Sequence, residues 1–282
     1  VRAVDFGMVA PLALDPADYP LSGGRASDLF PWPAVTGDRN VKGPLSMAVP
    51  GQLDGIATAL EAFGTMPLAA LIRPAIALAK EGLEIDWFAA LMIAAAAGDL
   101  RDDPASAARF LPGGLPPMPP MDGTPAFLPL DRLASTLETI AAEGRRSLYE
   151  GRLAERFLAD VESVGGRIGP KDLARYGARI VEPLVIEHGD VRIHAMPGLY
   201  AGATLARVME LLRGRGTVGD VPEETAFGDY ARALKTAYAE RLATAGDSGD
   251  PPGRSCTIHL SVIDADGNMV ALTQTLLSLF GA

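Results

Sequence analysis

The sequence predicts an α+β fold in which helical layers cover a mostly antiparallel sheet. Three observations carry this. Residues of alternating polarity stand at the start of the chain, again over 180–196, and in a hairpin pattern at the end. Helical periodicity fills most of the interval between them. Strands at both ends and just before residue 200, with helices filling the middle, make the pattern of helical layers over a sheet. With 282 residues, 48% of them hydrophobic, the chain has ample apolar material for a core.

The elements follow in order. Residues 1–6 alternate as a strand, and residues 11–48 are rich in Pro, Gly and Asp and read as an irregular excursion. Val49-Pro50-Gly51 opens a helix over 52–63, apolar at Leu53, Ile56, Ala57 and Leu60. Met66-Pro67 starts a second, through Leu71, Ile72, Ile76 and Leu78, ending where Gly82 can cap it. An alanine-rich helix is expected over 85–98 and a proline-heavy loop over 110–129, with Asp131 as N-cap of a helix through Ile140. A helix over 149–164 stops at Gly165-Gly166, and Pro170 and Asp172 open a short turn to Tyr176. Residues 180–196 read as two strands joined at His188-Gly189-Asp190, followed by helices over 202–212 and 224–244.

The last segment is the most informative. Two apolar-alternating runs flank Asp264-Ala265-Asp266-Gly267-Asn268, and Gly267 can take the left-handed conformation that ends a three-residue loop. That loop makes Asp264 face Asn268. Val262 then meets Val270 and Leu260 meets Leu272 on one face, while Ser261 meets Ala271, His259 meets Thr273 and Thr257 meets Thr275 on the other. Directly opposed residues have Cβ atoms about 4.5–5.5 Å apart. The bland reading is a polar face that meets solvent, since threonine is a good strand former. The sharper reading makes Thr257 a nucleophile. A threonine hydroxyl needs a base beside it, and its own α-amino group, titrating near 8, serves once the chain is cut before it. Such chemistry needs a strand that begins with Thr after a cleavable segment, with a hydroxyl alongside. The glycine-rich 246–253 segment and Thr275 supply both.

Cys256, the single cysteine, is the rival nucleophile, because an N-terminal thiol works by the same logic. The register turns it to the apolar face opposite Leu276. One cysteine excludes an intramolecular disulfide framework and any multi-cysteine metal site. The three histidines have no metal-like spacing, and no metal or cofactor is expected. His194 reads as a strand residue, His188 as a turn residue, and His259, on the hydroxyl face, as a supporting group together with Thr273. Asp102-Asp103 and Glu223-Glu224 read as solvated charges and helix starts, and Gly198 to Gly202 as either a strand-to-helix turn or an anion cradle. A net charge of −10 without a basic cluster argues against nucleic acid, and the longest apolar stretch, 88–97, is too short to span a bilayer. The chain opens without methionine in a strand-like run and stops just after an apolar run, so both ends read as parts of something longer.

With these residues in view, the chain resembles the gamma-glutamyltranspeptidase family. The resemblance runs through Val4-Asp5-Phe6 with Ala10-Pro11, Val49-Pro50-Gly51, Phe63-Gly64-Thr65-Met66-Pro67 and Arg73-Pro74-Ala75-Ile76 with Ala79-Lys80-Glu81-Gly82. It continues through Leu148-Tyr149-Glu150-Gly151, Asp172-Leu173 with Tyr176, Glu182-Pro183-Leu184, Met196-Pro197 and the His259-Leu260-Ser261-Val262 hairpin with Asp266-Gly267-Asn268. It implies an αββα sandwich of the N-terminal-nucleophile hydrolase type, incomplete in this chain, made as a precursor that cuts itself. Residues 1–256 then resemble the large subunit and 257–282 the first hairpin of the small one. By the same resemblance Thr257 attacks γ-glutamyl amides, Thr275 bonds to it, and water or an amino acid resolves the acyl-enzyme. A small-molecule γ-glutamyl or related acyl amide is the implied partner. A soluble, bacterial-type protein is expected, and the sequence leaves periplasm and cytoplasm both open.

The departures from the family pattern bear on substrate. Gly7 stands where the family usually has an arginine that clamps the substrate's α-carboxylate, Leu277 where it has an asparagine, and Ile258 where a second threonine is common. A bidentate arginine contact is charge-assisted and strong, and glycine cannot replace it. An amidase for other acyl groups, like the cephalosporin-acylase relatives of the family, is therefore one alternative, and a noncatalytic scaffold is another.

Overall fold

A computed structural model describes residues 1–25, 33–214, 222–244, 257–276 and 279–281. Cys256, Leu277 and the 246–253 segment lie outside the described residues. The chain forms two compact units: Val1–Phe6 with the described part of Ala178–Asp250, and Gly7–Gly177 with the described part of Pro251–Ala282.

In the first unit, β1 (Ala3–Asp5) pairs antiparallel with β6 (Arg179–Val181), and β7 (Leu184–His188) with β8 (Val191–Ala195) around a turn at Gly189. The helices α10 (Gly202–Leu211) and α11 (Glu224–Thr244) pack through Val208, Ala233 and Ala237. Gly202 is required where it stands, because a Cβ there would meet the Met196 carbonyl oxygen at 2.0 Å. The 198–202 stretch is thus a tight strand-to-helix turn.

The second unit holds β2 (Leu21–Arg25) and β3 (Pro33–Val35), then α1 (Gln52–Phe63), α2 (Leu68–Leu71), α3 (Arg73–Glu81), β4 (Leu83–Glu84), α4 (Trp87–Ala95), α5 (Ala97–Asp102) and α6 (Pro104–Phe110). It continues with β5 (Phe127–Leu128), α7 (Asp131–Glu143), α8 (Arg152–Ser163), α9 (Pro170–Arg175) and the hairpin β9 (Thr257–Ile263) and β10 (Met269–Thr275). One core cluster joins Val49, Tyr149, Ala154, Val161, Ile168, Leu173 and Tyr176. A second joins Ile85, Ile93, Leu100, Leu111 and Leu128, with Leu279 and Phe280 against it.

The fold is mixed helix and strand, as expected, but local expectations change: the irregular 11–48 stretch carries β2 and β3, the 110–129 loop carries β5, and four helix boundaries differ. The helix over 66–81 breaks at Ile72, because Pro74 has no N–H and its ring excludes an unbroken turn before it. The 85–98 helix is α4 and α5, parted at Ala96, with Asp86 capping α4 by accepting from Ala89 N at 2.7 Å. Asp131 is the first helical residue of α7 rather than its cap, which is Leu130. Tyr149 precedes α8, because Gly151 at φ 93° breaks the helical path before Arg152; the Tyr149 side chain lies in the core at 2% exposure. All described ladders are antiparallel, and each is two-stranded rather than part of one broad sheet. Among the described residues no single helix is long and apolar enough to cross a membrane.

Tyr149 organises the larger core cluster. Its hydroxyl donates to the Pro50 carbonyl at 2.9 Å and accepts from Asp54 N at 3.4 Å, and its ring stacks on Tyr176 at 5.6 Å with the Arg146 guanidinium 5.1 Å away. Burial pushes its phenol up to about 12 from 10.0. The fold accepts only the neutral phenol. The stability this contributes is therefore whole below pH 10 and is lost as pH rises through 12. The alkaline unfolding curve should fall more steeply in the wild type than in Tyr149→Phe between those limits, by on the order of 1–3 kcal/mol in denaturant titrations. Leu173, fully buried, should cost about 2–5 kcal/mol on substitution to Ala, measured the same way.

Candidate functional site

The hairpin is built from its turn outward. Gly267 has φ 81°, the left-handed conformation that glycine adopts without strain. Asp264 N donates to Asn268 O at 3.0 Å, and Gly267 N donates to Asp264 O at 3.1 Å. The Asp264 carboxylate accepts from Asn268 Nδ2 at 2.8 Å, Asn268 N at 2.8 Å and Asp266 N at 3.0 Å, and these donors hold its pKa below the usual carboxylate value. A one-residue slip would send every side chain to the other face, so this turn decides which residues meet.

The resulting pairs are those expected: Val262 with Val270, Leu260 with Leu272, Ser261 with Ala271, His259 with Thr273, and Thr257 with Thr275. Paired residues alternate between hydrogen-bonded and non-hydrogen-bonded sites. Counting from the Asp264–Asn268 bond, position 257 and Thr275 form a non-hydrogen-bonded pair, the closer type, with Cα atoms about 4.5 Å apart. On the same face His259 Nδ1 lies 2.8 Å from Thr273 Oγ1, and Nε2 lies 3.0 Å from Ser261 Oγ. Both ring nitrogens thus face hydroxyls, which donate or accept as either tautomer requires. The row Ser261, His259, Thr273 leads toward the Thr257–Thr275 end of the hairpin.

The other face carries Leu260, Val262, Val270 and Leu272, and Gln274 interrupts it. Gln274 Oε1 accepts from Gln52 Nε2 at 2.5 Å, which joins β10 to the first residue of α1. The sequence pattern alone missed Gln52. The available signal was a polar residue in an otherwise apolar row.

Gly7 lies in the segment after β1, and its carbonyl oxygen accepts from the Tyr176 hydroxyl at 2.9 Å. Two residues on, Val9 bridges Val49 with a 2.9 Å bond from Val49 N, which brings this segment beside Val49-Pro50-Gly51. His188 pairs with Val191 and His194 with Val185 in the β7–β8 ladder, in the other compact unit from the hairpin. Asp103 caps α6 by accepting from Ser106 N at 2.7 Å, a structural use that also lowers its pKa. Among the described residues no group of three or more His, Cys, Asp or Glu side chains is arranged to hold a metal ion.

The sequence profile of the family described as Gamma-glutamyltranspeptidase matches residues 1–254. The chain is 34% identical to the Acylase ACY 1 proenzyme of Pseudomonas sp. (strain SE83), over 88% of this chain and 50% of that protein. It is 28% identical to the Glutathione hydrolase proenzyme of Pseudomonas sp. (strain A14), over 99% of this chain and 53% of that protein. The chain thus spans about half the length of these curated relatives. Among solved structures, Helicobacter pylori gamma-glutamyltranspeptidase superimposes with a TM-score of 0.74 at 26% identity, covering 88% of this chain and 68% of that one.

The turn chemistry gives a direct test. Asp264→Ala should speed amide exchange along β9 and β10 at neutral pH. Because a depressed carboxylate stabilises only while ionised, the difference from wild type should close as pH falls past the ordinary aspartate value, about 3.9, and through this group's own lower one.

Proposed function

The chain belongs to the gamma-glutamyltranspeptidase family, and on that premise we propose that it is the nucleophile-bearing part of a self-processing acyl transferase or amide hydrolase. The single observation that carries the reading is the register that pairs Thr257 with Thr275 at the open end of the hairpin. In this proposal cleavage before Thr257 divides the precursor into a large subunit, residues 1–256 of this numbering, and a small one that opens with the hairpin. The two together form an αββα sandwich.

The chemistry follows from the residues. The freed α-amino group, with a pKa near 8, is neutral and able to accept a proton in a substantial minority of molecules at physiological pH. It takes the Thr257 Oγ proton as that oxygen attacks an amide carbonyl. Collapse of the tetrahedral intermediate expels the amine, to which the ammonium returns the proton, and leaves an ester on Oγ. Water or an acceptor amine then attacks the ester with the same amino group as base, which regenerates the free hydroxyl. Thr275 orients Oγ from across the strand pair. Thr273 and Ser261 fix the His259 ring, so that this polar face stays in one arrangement.

Two acyl classes compete. γ-Glutamyl amides are the family's substrate class, and one of the relatives above carries the name glutathione hydrolase. A specific observation favours acyl groups without an α-carboxylate clamp. Gly7 offers no guanidinium, and the higher identity is to an acylase.

Intact mass of the full-length protein separates these ideas in sequence. It should show two pieces, the second beginning at Thr257, and Thr257→Ala should remain one chain. A wild type that stays whole under the same conditions removes the self-processing reading. In the processed enzyme, Thr275→Ala should lower kcat by roughly 10- to 100-fold, the cost of a misplaced reacting group. Glutaryl-p-nitroanilide should be turned over at least as well as γ-glutamyl-p-nitroanilide if the α-amino acid end is not recognised. A strong preference for the γ-glutamyl compound would return the chain to the glutathione-type reading.

A further inference from the structure

We propose that Gln52 is a positioning residue for the reacting hydroxyls: its side-chain amide holds β10 at Gln274 and so sets the place of Thr275. The inference rests on the reading above that the Thr257–Thr275 pair carries the chemistry. The contact is the 2.5 Å bond from Gln52 Nε2 to Gln274 Oε1, between residues 222 positions apart in sequence. Gln274 immediately precedes Thr275, the last residue of β10. Successive strand residues point to opposite faces, so a tether on Gln274 grips the strand from behind while Thr275 presents its hydroxyl on the other side.

This end of the hairpin needs such a tether. A two-stranded ladder is marginal by itself, and its open end, farthest from the turn, is where pairing is weakest. The Asp264–Asn268 turn sets the register but lies at the opposite end of both strands. On the face that Gln274 shares, Leu260, Val262 and Val270 stay exposed, so apolar burial alone does not seat the hairpin. A hydrogen bond at Gln274 adds the direction that apolar contact lacks.

Gln52 is itself well anchored, which makes it a useful post. It is the first residue of α1, and the first turn of that helix is tied to the core. The Tyr149 hydroxyl donates to Pro50 O at 2.9 Å and accepts from Asp54 N. Asp54, 3% exposed, meets Arg145 Nε at 3.4 Å, and Arg145 also donates to Thr58 Oγ1 at 2.9 Å and pairs with Glu61 at 3.1 Å. A continuous path therefore runs from the buried tyrosine through Pro50 and the α1 first turn to Gln52, Gln274 and Thr275. The tether is a neutral amide pair, so its influence should not depend on pH.

The experiment uses the full-length protein with Gln52→Leu, Gln274→Leu, the double variant and Gln52→Glu. Either single leucine variant should slow cleavage before Thr257 and lower kcat by roughly 10-fold, with KM, the shape of the pH profile and the unfolding midpoint unchanged. The double variant should be no worse than either single, because both remove one bond. Gln52→Glu should stay within about 3-fold of wild type, since the Gln274 amide can turn to donate to the new carboxylate. Amide exchange at 273–275 should accelerate in Gln52→Leu while the turn stays protected. Wild-type cleavage and kcat in Gln52→Leu would overturn the inference, as would losses that multiply in the double variant or follow a fall in stability. A wild type that is neither cleaved nor active would instead overturn the reading it rests on, and this role with it.

Discussion

The register of the terminal hairpin is the constraint on which the site depends, and a turn fixes it rather than the residues at the site. Asp264 gathers three donors from Asp266 and Asn268 around one carboxylate, and Gly267 takes the positive φ that closes the loop. Strand alternation then leaves no freedom: Thr275 must face position 257, and His259 must face Thr273. Hydroxyls, imidazole and the proposed nucleophile share one face because a loop at the far end of the strands has a fixed length. An insertion or deletion there would separate the groups without touching any of them.

Much of this was legible before the coordinates. The hairpin register, α1 and the start of α11 follow from period and turn chemistry, which act over a few residues. The failures have local physical causes that pattern does not weigh. The apolar spacing of Leu71, Ile72, Ile76 and Leu78 continues through Pro74, but the backbone cannot. The alanine run over 94–97 carries no mark of the break at Ala96, although Gly98 beyond it weakens the helix. Tyr149 reads as helical by neighbourhood, whereas the positive φ of Gly151 delays α8 to Arg152. The Gln52–Gln274 bond is between residues distant in sequence and has no periodic signal, so only the folded chain shows it.

The proposed chemistry is that of the family, and this chain's own residues qualify it. Val49-Pro50-Gly51, the Tyr149–Tyr176 stack and the α1 first turn form one packed region, with the Gly7 segment drawn against it by the Tyr176 hydroxyl and the Val9–Val49 bridge. The scaffold around position 7 is therefore held in place while the position itself carries no charge. That combination is what supports the proposed shift in acyl preference. It agrees with relatives of both kinds, an acylase at 34% identity and a glutathione hydrolase at 28%.

The central claim is that one particular oxygen becomes covalently acylated. Acid quenching of the full-length enzyme during steady turnover of an activated amide, followed by peptide mass mapping, addresses it directly. The acyl mass should appear on a peptide whose first residue is Thr257, carried on that residue's side chain. An acyl group found on Cys256 or Ser261, or on a peptide that runs uncut through position 257, would contradict it.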